Sequence, residues 1–515
     1  MFLQIQKHFH HIDMIERSIG YQHLIEKFDL NVCELFVKSY LTAESQKKII
    51  RKDDFVAISY PKSRMAIEDT WKCDILFALK YEGINLEVLK AFFKKLEAGE
   101  MMAFVSDHPT GARHRRIWML YEKLSGNKLE LPDVRVGNYV NLVDGAKQWA
   151  LPGNDGRRER RYRVNNNLIG NFQFSPFVRI ADIRTDMCGE RLKENSDKLL
   201  EKYPSELIYR AVQYMFLKET RSSFAIERET PNQKRMESFL SVLREMPDGD
   251  ISESLLAYIQ NCIVDERYMQ KTWRTDQVYV GETMTPGHEK VHCIGVRPQD
   301  LSSLMDDFLL VANTLLDGRS VDPVLLAAVV SFAFVFIHPF DDGNGRLHRF
   351  LMHTVLSRLG FTPKGFIFPI SAVLLKKAAE YDRMLESFSR RLMKVINYDI
   401  SDNGEVEVLG ESVDFYRYID YTPIVNRFQL MIAETITTEW KAELDYLKAY
   451  DEMRKGMRDI VDMPDKKANQ FILFVRNNNG TLSKAKREYF GELTDGEVHA
   501  LETVINTAVK ELSEK

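Results

Sequence analysis

The sequence reads His338-Pro339-Phe340-Asp341-Asp342-Gly343-Asn344-Gly345-Arg346-Leu347-His348-Arg349 at the junction of two segments with helical character. Residues 324–337, which precede the junction, form a nearly continuous apolar run. Residues 346–359 carry apolar side chains at three- and four-residue intervals, and Gly360 then supplies a stop. The pattern therefore predicts a helix, a tight loop and a second helix, with the loop at the N-terminus of the second helix.

The loop between these helices has the features of an anion-binding site. Backbone N–H groups in a first helical turn have no intrahelical partner, and the helix dipole adds partial positive charge there. Gly343 and Gly345 allow a close approach to a phosphate or a positive φ, while Asn344 tolerates a strained turn and offers an amide. Arg346 and Arg349 are three residues apart, so both project from one face toward whatever the loop holds.

Two further side chains of the stretch suggest chemistry at that anion. Asp342 is an oxygen ligand suited to Mg²⁺, which usually binds through one or two carboxylates together with substrate phosphates. His338 stands just before the loop, where a general base would be useful. Together these residues predict phosphoryl or nucleotidyl transfer. A core histidine and ordinary Asp-Gly and Asn-Gly turns are alternative interpretations of single residues, and no Cys cluster or helical H-x-x-x-H pair supports a zinc site.

The same residues resemble the signature of a known family, the Fic domains. The pattern H-x-F-x-(D/E)-G-N-G-R-x-x-R of that family is matched at each of its eight fixed positions by His338, Phe340, Asp342, Gly343, Asn344, Gly345, Arg346 and Arg349. The resemblance implies a mainly α-helical Fic fold with a β-hairpin flap. It also implies a protein adenylyltransferase, a nucleotidyltransferase that moves AMP from ATP to a hydroxyl side chain of a target protein.

The resemblance further assigns a role to each residue of the signature. His338 would deprotonate the target hydroxyl, and Asp342 would hold Mg²⁺. Asn344 and the amides of the glycine-containing loop would orient the α-phosphate. Arg346 and Arg349 would bind the outer phosphates of ATP. These implied roles coincide with those that the chemistry of the residues suggests.

An inhibitory motif precedes the signature in many Fic proteins, and Ser223 and Glu227 resemble its pattern (S/T)-x-x-x-E-(G/N). The resemblance implies that Glu227 pairs with Arg349, where its carboxylate competes with the ATP γ-phosphate for one cation. Arg228 stands where the family usually has Gly or Asn, which puts the strength of inhibition in doubt. A surface pair of residues spaced four apart is the alternative interpretation.

A β-hairpin is predicted by two alternating apolar segments, residues 277–281 and 291–295, joined by a loop with Gly and Pro. The resemblance implies that this hairpin is the flap, in which Val278, Tyr279 and Val280 hold a target segment by strand addition. Tyr381 matches a tyrosine common in the family and is a candidate for the wall of the nucleotide pocket. A core aromatic is the alternative interpretation of this residue.

The composition is typical of a soluble globular protein. The chain has 515 residues, 44% hydrophobic and 28% charged, and a net charge of −4 that argues against a polybasic nucleic-acid or membrane protein. Five scattered cysteines without a C-x-x-C pair suggest reduced thiols, and the N-terminal residues lack the apolar segment of a secretory signal. The apolar run at 324–337 is shorter than the roughly 20 residues of a membrane span. We expect a cytoplasmic protein that does not insert into a membrane.

Three domains are predicted, with the catalytic one at residues 196–400. Residues 1–195 form a mixed domain of unknown role, whose cluster Arg157–Arg163 is either a solvated loop or a contact for phosphates or an acidic partner. Residues 401–515 resemble a helical, winged-helix-like tail that binds DNA or, as interspersed acidic residues favour, mediates protein contact or homodimerisation. UMP transfer, AMP removal or a nucleotide- and DNA-binding regulator are the alternative functions. The target remains open, and the chain itself is one candidate.

Overall fold

The computed structural model describes residues 15–52, 55–65, 67–153, 156–246, 249–285, 288–318, 321–401 and 404–513. The described helices are α1 Tyr21–Phe28, α2 Trp71–Tyr81, α3 Leu86–Lys95, α4 Ala98–Asp107, α5 Ala112–Ser125, α6 Gly189–Leu200, α7 Ser205–Ile226, α8 Gln233–Arg244, α9 Glu253–Ile263, α10 Pro298–Asp317, α11 Pro323–Ile337, α12 Asn344–Arg358, α13 Ile370–Lys376, α14 Ala378–Leu392, α15 Val413–Arg417, α16 Thr422–Glu434, α17 Lys441–Ile460, α18 Asp465–Asn477, α19 Lys484–Arg487 and α20 Asp495–Ser513. A π-helical turn, Thr435–Trp440, joins α16 to α17. The mainly α class is confirmed.

The described strands are short and form four small sheets. They are β1 Ile15–Ile19, β2 Val37–Thr42, β3 Lys48–Arg51, β4 Val56–Pro61, β5 Val140–Asn141, β6 Arg157–Glu159, β7 Val164–Asn166, β8 Tyr279–Thr285, β9 His288–Ile294, β10 Asn397–Ile400 and β11 Val406–Leu409. The first sheet has the order β1-β2-β4-β3, in which β2 and β4 run parallel and the other pairs are antiparallel. The N-terminal region therefore mixes helices with sheets.

The predicted helix-loop-helix is confirmed as α11, a loop at 338–343 and α12. Asp322 caps α11 by accepting the N–H groups of Val324 and Leu325, each at 2.9 Å from its Oδ1. The helix ends at Ile337, and the next residue, His338, takes the left-handed conformation with φ 58°. Gly343 has φ 91°, a conformation that glycine adopts without steric cost, and α12 starts at the next residue. The two helices pack against each other, so the loop is held at one end of the helical core.

The predicted β-hairpin is confirmed as the antiparallel pair of β8 and β9, and its role as a flap stays a prediction. Tyr279 pairs with Ile294, and Val280 pairs with Cys293. Val278 lies just before β8, and its carbonyl accepts the N–H of Gly295 at 3.0 Å. Among the described residues this sheet has two strands, so each strand presents an open edge.

The arginine cluster of the N-terminal region is partly internal. Arg161 binds Glu122 at 2.9 Å and Asp133 at 2.8 Å, and its guanidinium lies 4.8 Å from the centre of the Trp118 ring. Residues 157–159 form β6. The interpretation as a solvated loop is therefore wrong for Arg161, which stabilises the fold. A phosphate contact by the other arginines stays a prediction.

Hydrophobic clusters cross the predicted domain boundaries at 195 and 400. One cluster of buried side chains extends from Trp149 to Leu444 and contains the core of α11 and α12. A second extends from Tyr21 to Leu168 and includes Tyr418, and a third lies within residues 449–508. The division into three domains stays a prediction.

The C-terminal tail is helical from α17 to α20. A winged helix needs a β-hairpin as its wing, and the described residues 441–513 contain helices and turns but no strand. The helical character is therefore confirmed and the wing is not. Within the described parts of the chain, we find no helix with the length and apolarity that a membrane span requires.

A buried polar network ties α7 to the helices around the signature. Glu219 Oε1 accepts from His353 Nε2 at 2.8 Å, and Glu219 Oε2 accepts the backbone N–H of Ser371 at 2.8 Å. The Ser371 hydroxyl also donates to this carboxylate. All three residues are buried. Because Glu219 is one helical turn before Ser223, the network fixes which face of α7 meets α12.

Glu219→Ala should lower the free energy of unfolding by about 3 kcal/mol, because it leaves three buried donors without an acceptor. Urea denaturation followed by circular dichroism measures the change. Glu206→Ala, at the exposed start of the same helix, is the control and should change the free energy by less than about 1 kcal/mol. Equal losses for the two variants would contradict a structural role for the network.

Candidate active site

A cavity of about 670 Å³ lies between the end of α7, the hairpin, α11 and α14. Ligand sites in proteins typically have volumes of about 300–1,000 Å³. The predicted site residues that line the cavity are Glu227, Tyr279, Val280, His338, Gly345 and Tyr381. The structure therefore brings together the candidate base, the first turn of α12, the hairpin and the candidate inhibitory glutamate. The two signature arginines lie outside this lining set, as do Val278, Ser223, Asp342, Gly343 and Asn344.

His338 is held in the protonation state that a general base requires. Its Nδ1 lies 3.1 Å from the carbonyl oxygen of Val335, so Nδ1 carries the proton and Nε2 is left with its lone pair. Burial, helped by nearby Arg274, lowers the pKa of His338 to about 4, against the opposing effects of the Val335 carbonyl, Glu227 and Asp342. The imidazole is therefore neutral at pH 7.

Arg274, which sequence reasoning missed, ties the base of the hairpin to the signature loop. Its Nε donates to the carbonyl of His338 at 2.7 Å, and its backbone N–H donates to the carbonyl of Pro339 at 2.9 Å. The partners of Arg274 are backbone carbonyls, which leave no pattern in a sequence. Gly295 makes this packing possible, because a Cβ there would lie 2.9 Å from Arg274 Nη2 and 3.3 Å from His338 Cβ.

Asn344 shapes the loop from within. Its Oδ1 accepts the N–H of Phe340 at 3.0 Å, and its Nδ2 donates to the carbonyl of Phe340 at 2.7 Å. Both atoms of the side-chain amide are therefore engaged with the loop backbone. This arrangement keeps the loop in a tight turn above α12. An additional role of Asn344 toward a phosphate stays a prediction.

Arg349 pairs with both residues of the predicted inhibitory motif. Its Nη2 lies 2.8 Å from Glu227 Oε1, and its Nε donates to the Ser223 hydroxyl at 2.9 Å. Arg349 is 1% exposed, so its charge depends on these partners. Burial by itself would raise the pKa of Glu227, but the guanidinium groups of Arg349 and Arg346 hold that pKa below its ordinary value. Glu227 is therefore an anion in contact with a buried cation.

The Glu227 carboxylate also lies against the first turn of α12. A Cβ added to Gly345 would overlap Glu227 Oε1, so the side chain fills the space next to that glycine. The start of α12 is where the sequence predicts an anion, because unpaired N–H groups point outward there. A carboxylate of the protein itself lies beside this first turn.

Arg228, which stands where the predicted inhibitory motif usually has Gly or Asn, has a positive φ. The α7 helix ends at Ile226, and Arg228 takes the left-handed conformation with φ 55°. Gly and Asn adopt this conformation most easily, whereas other residues are strained by roughly 1–2 kcal/mol. The chain at Arg228 therefore still makes the turn that brings Glu227 to Arg349, although the backbone there is strained.

Asp342 fits a magnesium site in part. Its side chain is 40% exposed, and Oδ1 accepts from Arg346 Nη2 at 2.9 Å and from the Gly343 N–H at 2.6 Å. Within the described residues Oδ2 has no partner. No group of three or more His, Cys, Asp or Glu side chains in that part of the chain is placed to hold a metal. One available carboxylate oxygen suits Mg²⁺ that takes its other ligands from phosphate and water.

Tyr381 is a core aromatic residue that also lines the cavity, and its contact with a nucleotide stays a prediction. It is 7% exposed, its ring stacks on His348 with centroids 6.1 Å apart, and it also lines the cavity. Burial raises its pKa to about 12, against the opposing effect of Arg349, so the hydroxyl is neutral at pH 7.

Val280 on the hairpin is 46% exposed, consistent with a surface that other chains can reach.

Comparison with known proteins places these residues in a family. A family model described as the Fic/DOC family matches residues 250–356. The chain contains a Fic domain. The matched range includes the hairpin and the whole signature, whereas Ser223 and Glu227 precede it.

Two curated relatives match a part of the chain. They are proteins named Protein adenylyltransferase Fic from Drosophila mojavensis and Aedes aegypti, each 42% identical over 91 residues. The match covers 18% of this chain and 16% of the length of each relative. A Fic domain containing signaling protein from Bacteroides thetaiotaomicron is a solved structure with 17% identity and a TM-score of 0.37, covering 50% of this chain and 96% of its own.

The buried environment of His338 predicts an unusual titration. We expect its imidazole to stay neutral from pH 8 to pH 5.5 and to take up a proton only near pH 4. Nuclear magnetic resonance of protein labelled with ¹³C at histidine Cε1 measures this, and His338→Gln assigns the signal among the 12 histidines. A midpoint near 6.5, the ordinary value for histidine, would contradict the buried and hydrogen-bonded site.

Proposed function

We propose that this protein transfers AMP from ATP to a Ser, Thr or Tyr hydroxyl of a target protein. The observation that carries the proposal is that His338, Gly345 and the hairpin line one cavity. The Nε2 atom of His338 is free to accept a proton there. A base, an anion site and a strand that can hold a peptide are the three parts that such a transfer needs. The names of the curated relatives support the same activity.

The reaction follows from the positions of the chain's own groups. A target segment adds to an open edge of the hairpin through main-chain hydrogen bonds, which leaves its hydroxyl side chain free to enter the cavity. His338 Nε2 takes the hydroxyl proton as the oxygen attacks the α-phosphorus of ATP, and the bond to the leaving pyrophosphate breaks. The N–H groups of the first turn of α12 stabilise the charge on the phosphate. Mg²⁺ bound at Asp342 would neutralise phosphate charge.

Glu227 keeps this activity low in the proposed account. Its carboxylate contacts Arg349, the cation that the family resemblance assigns to an outer phosphate of ATP. Because the two anions compete for one guanidinium, ATP binds with its phosphates in place only when Glu227 moves away. Replacing Glu227 with a residue that lacks the carboxylate therefore releases the enzyme.

UMP transfer and removal of AMP use the same kinds of residue and are the alternatives within enzymes. Targets are other proteins or the chain itself, and dimerisation and DNA contact are further proposals for the tail and the N-terminal arginines. Competition among the four nucleoside triphosphates distinguishes AMP transfer from UMP transfer. Release of AMP from a labelled target distinguishes transfer from removal.

Glu227→Gly should label itself or proteins of a cell lysate at least about tenfold more than the parent, with ATP radiolabelled at the α-phosphate and Mg²⁺ present. A tenfold change corresponds to about 1.4 kcal/mol, which is modest for removing a buried competitor of a phosphate. Adding His338→Ala should lower labelling by at least about 100-fold, because the base is lost.

Glu237→Gly, a change at an exposed position of α8, is the matched control and should label like the parent. Labelling by Glu227→Gly that does not exceed this control would contradict the inhibitory role. If another nucleoside triphosphate labels the target more strongly than ATP, the proposed activity becomes transfer of that nucleotide instead of AMP. Absence of label in every variant and with every nucleotide would contradict transfer altogether and favour a nucleotide-binding regulator.

A further inference from the structure

The first arginine of the signature is enclosed by protein groups. Arg346 is 1% exposed. Its Nη1 donates to Glu229 Oε2 and to the carbonyl oxygen of Ile263, each at 2.9 Å. Its Nη2 lies 2.9 Å from Glu229 Oε1 and 2.9 Å from Asp342 Oδ1. Three of these contacts are hydrogen bonds, two from Nη1 and one from Nη2 to Asp342, and the contact with Glu229 Oε1 is an ion pair.

Glu229 is itself held by a second arginine. Arg235 Nη2 contacts Glu229 Oε2 at 2.6 Å, and Arg235 also donates to the carbonyl of Ile263. Ile263 is the last residue of α9, where carbonyl groups lack intrahelical partners. The Glu229 carboxylate therefore bridges two guanidinium groups that share one helix end.

An aromatic ring limits the orientation of both arginines. The guanidinium carbons of Arg346 and Arg235 each lie 5.4 Å from the centre of the Phe224 ring, within the range of cation–π attraction. Phe224 belongs to α7 and is buried. Ring, carboxylate and helix end together leave Arg346 one position, from which Nη2 reaches Asp342.

We propose that Glu229 is a positioning residue that keeps Asp342 available to a divalent cation. With Glu229 in place, Arg346 contacts Oδ1 of Asp342, and Oδ2 stays open. Without Glu229, Asp342 is the carboxylate left to the buried guanidinium, so Arg346 pairs with both oxygens and competes with the cation. Glu229 thus acts in the opposite sense to Glu227, although the two are two residues apart. This inference rests on the proposed function.

The test uses the full chain with Glu227→Gly, to which Glu229→Gln is added. The Mg²⁺ concentration that gives half-maximal ATP binding, measured by isothermal titration calorimetry, should rise by at least about tenfold, as expected when a partner of a metal ligand is lost. ATP binding in EDTA should change by less than about twofold. Arg235→Gln should also raise the Mg²⁺ concentration that gives half-maximal ATP binding. Glu229→Asp keeps the carboxylate, so it should leave this concentration close to that of Glu227→Gly alone.

Glu237→Gln in the same background is the matched control and should leave the Mg²⁺ requirement unchanged. An unchanged requirement for both Glu229→Gln and Arg235→Gln would overturn the proposal. A rise in labelling for Glu229→Gln at every Mg²⁺ concentration would also overturn it, because Glu229 would then be a second inhibitory residue. Metal-dependent ATP binding is measured without transfer, so a failure of the proposed chemistry remains distinguishable from a failure of this inference.

Discussion

A buried cation that must have an anionic partner is the constraint on which this site depends. The Arg349 guanidinium is enclosed in the helical core, and a charge in that position is stable only when it is paired. Glu227 supplies the anion from the turn after α7. A phosphate in the cavity would supply the same charge. In the function that we propose, the site therefore has two arrangements that differ in which anion contacts Arg349, and Glu227 controls the site through this competition.

Contacts elsewhere in the fold fix the positions of Glu227 and Arg349 relative to each other. The Glu219–His353 contact fixes α7 on α12, so the turn after α7 meets the first turn of α12 at Gly345. Asn344 holds the loop closed through the backbone of Phe340. Arg274 joins the loop to the hairpin through the carbonyl of His338. His338, the first turn of α12 and the hairpin are thus held by buried polar contacts.

Sequence patterns predicted the parts of this arrangement that have local causes. The apolar run at 324–337 and the glycines after it predict the helix, loop and helix, and alternating apolar residues predict the hairpin. The pairing of Glu227 with Arg349 came from the resemblance to the Fic domains. Long-range contacts were missed where the partner is a backbone carbonyl, as for Arg274, or a carboxylate outside any motif, as for Glu229. Arg161 was misinterpreted because its partners, Glu122 and Asp133, lie far from it in the sequence.

The measurement that tests the central claim most directly compares the affinities for ATP and ADP, with Mg²⁺, of the parent and of Glu227→Gly. If Glu227 and the outermost phosphate compete for Arg349, the substitution strengthens ATP binding by at least about tenfold and changes ADP binding by less than about threefold. Isothermal titration calorimetry provides both values for both proteins. An equal gain for ATP and ADP, or no gain for ATP, would contradict the claim that the glutamate holds the place of that phosphate.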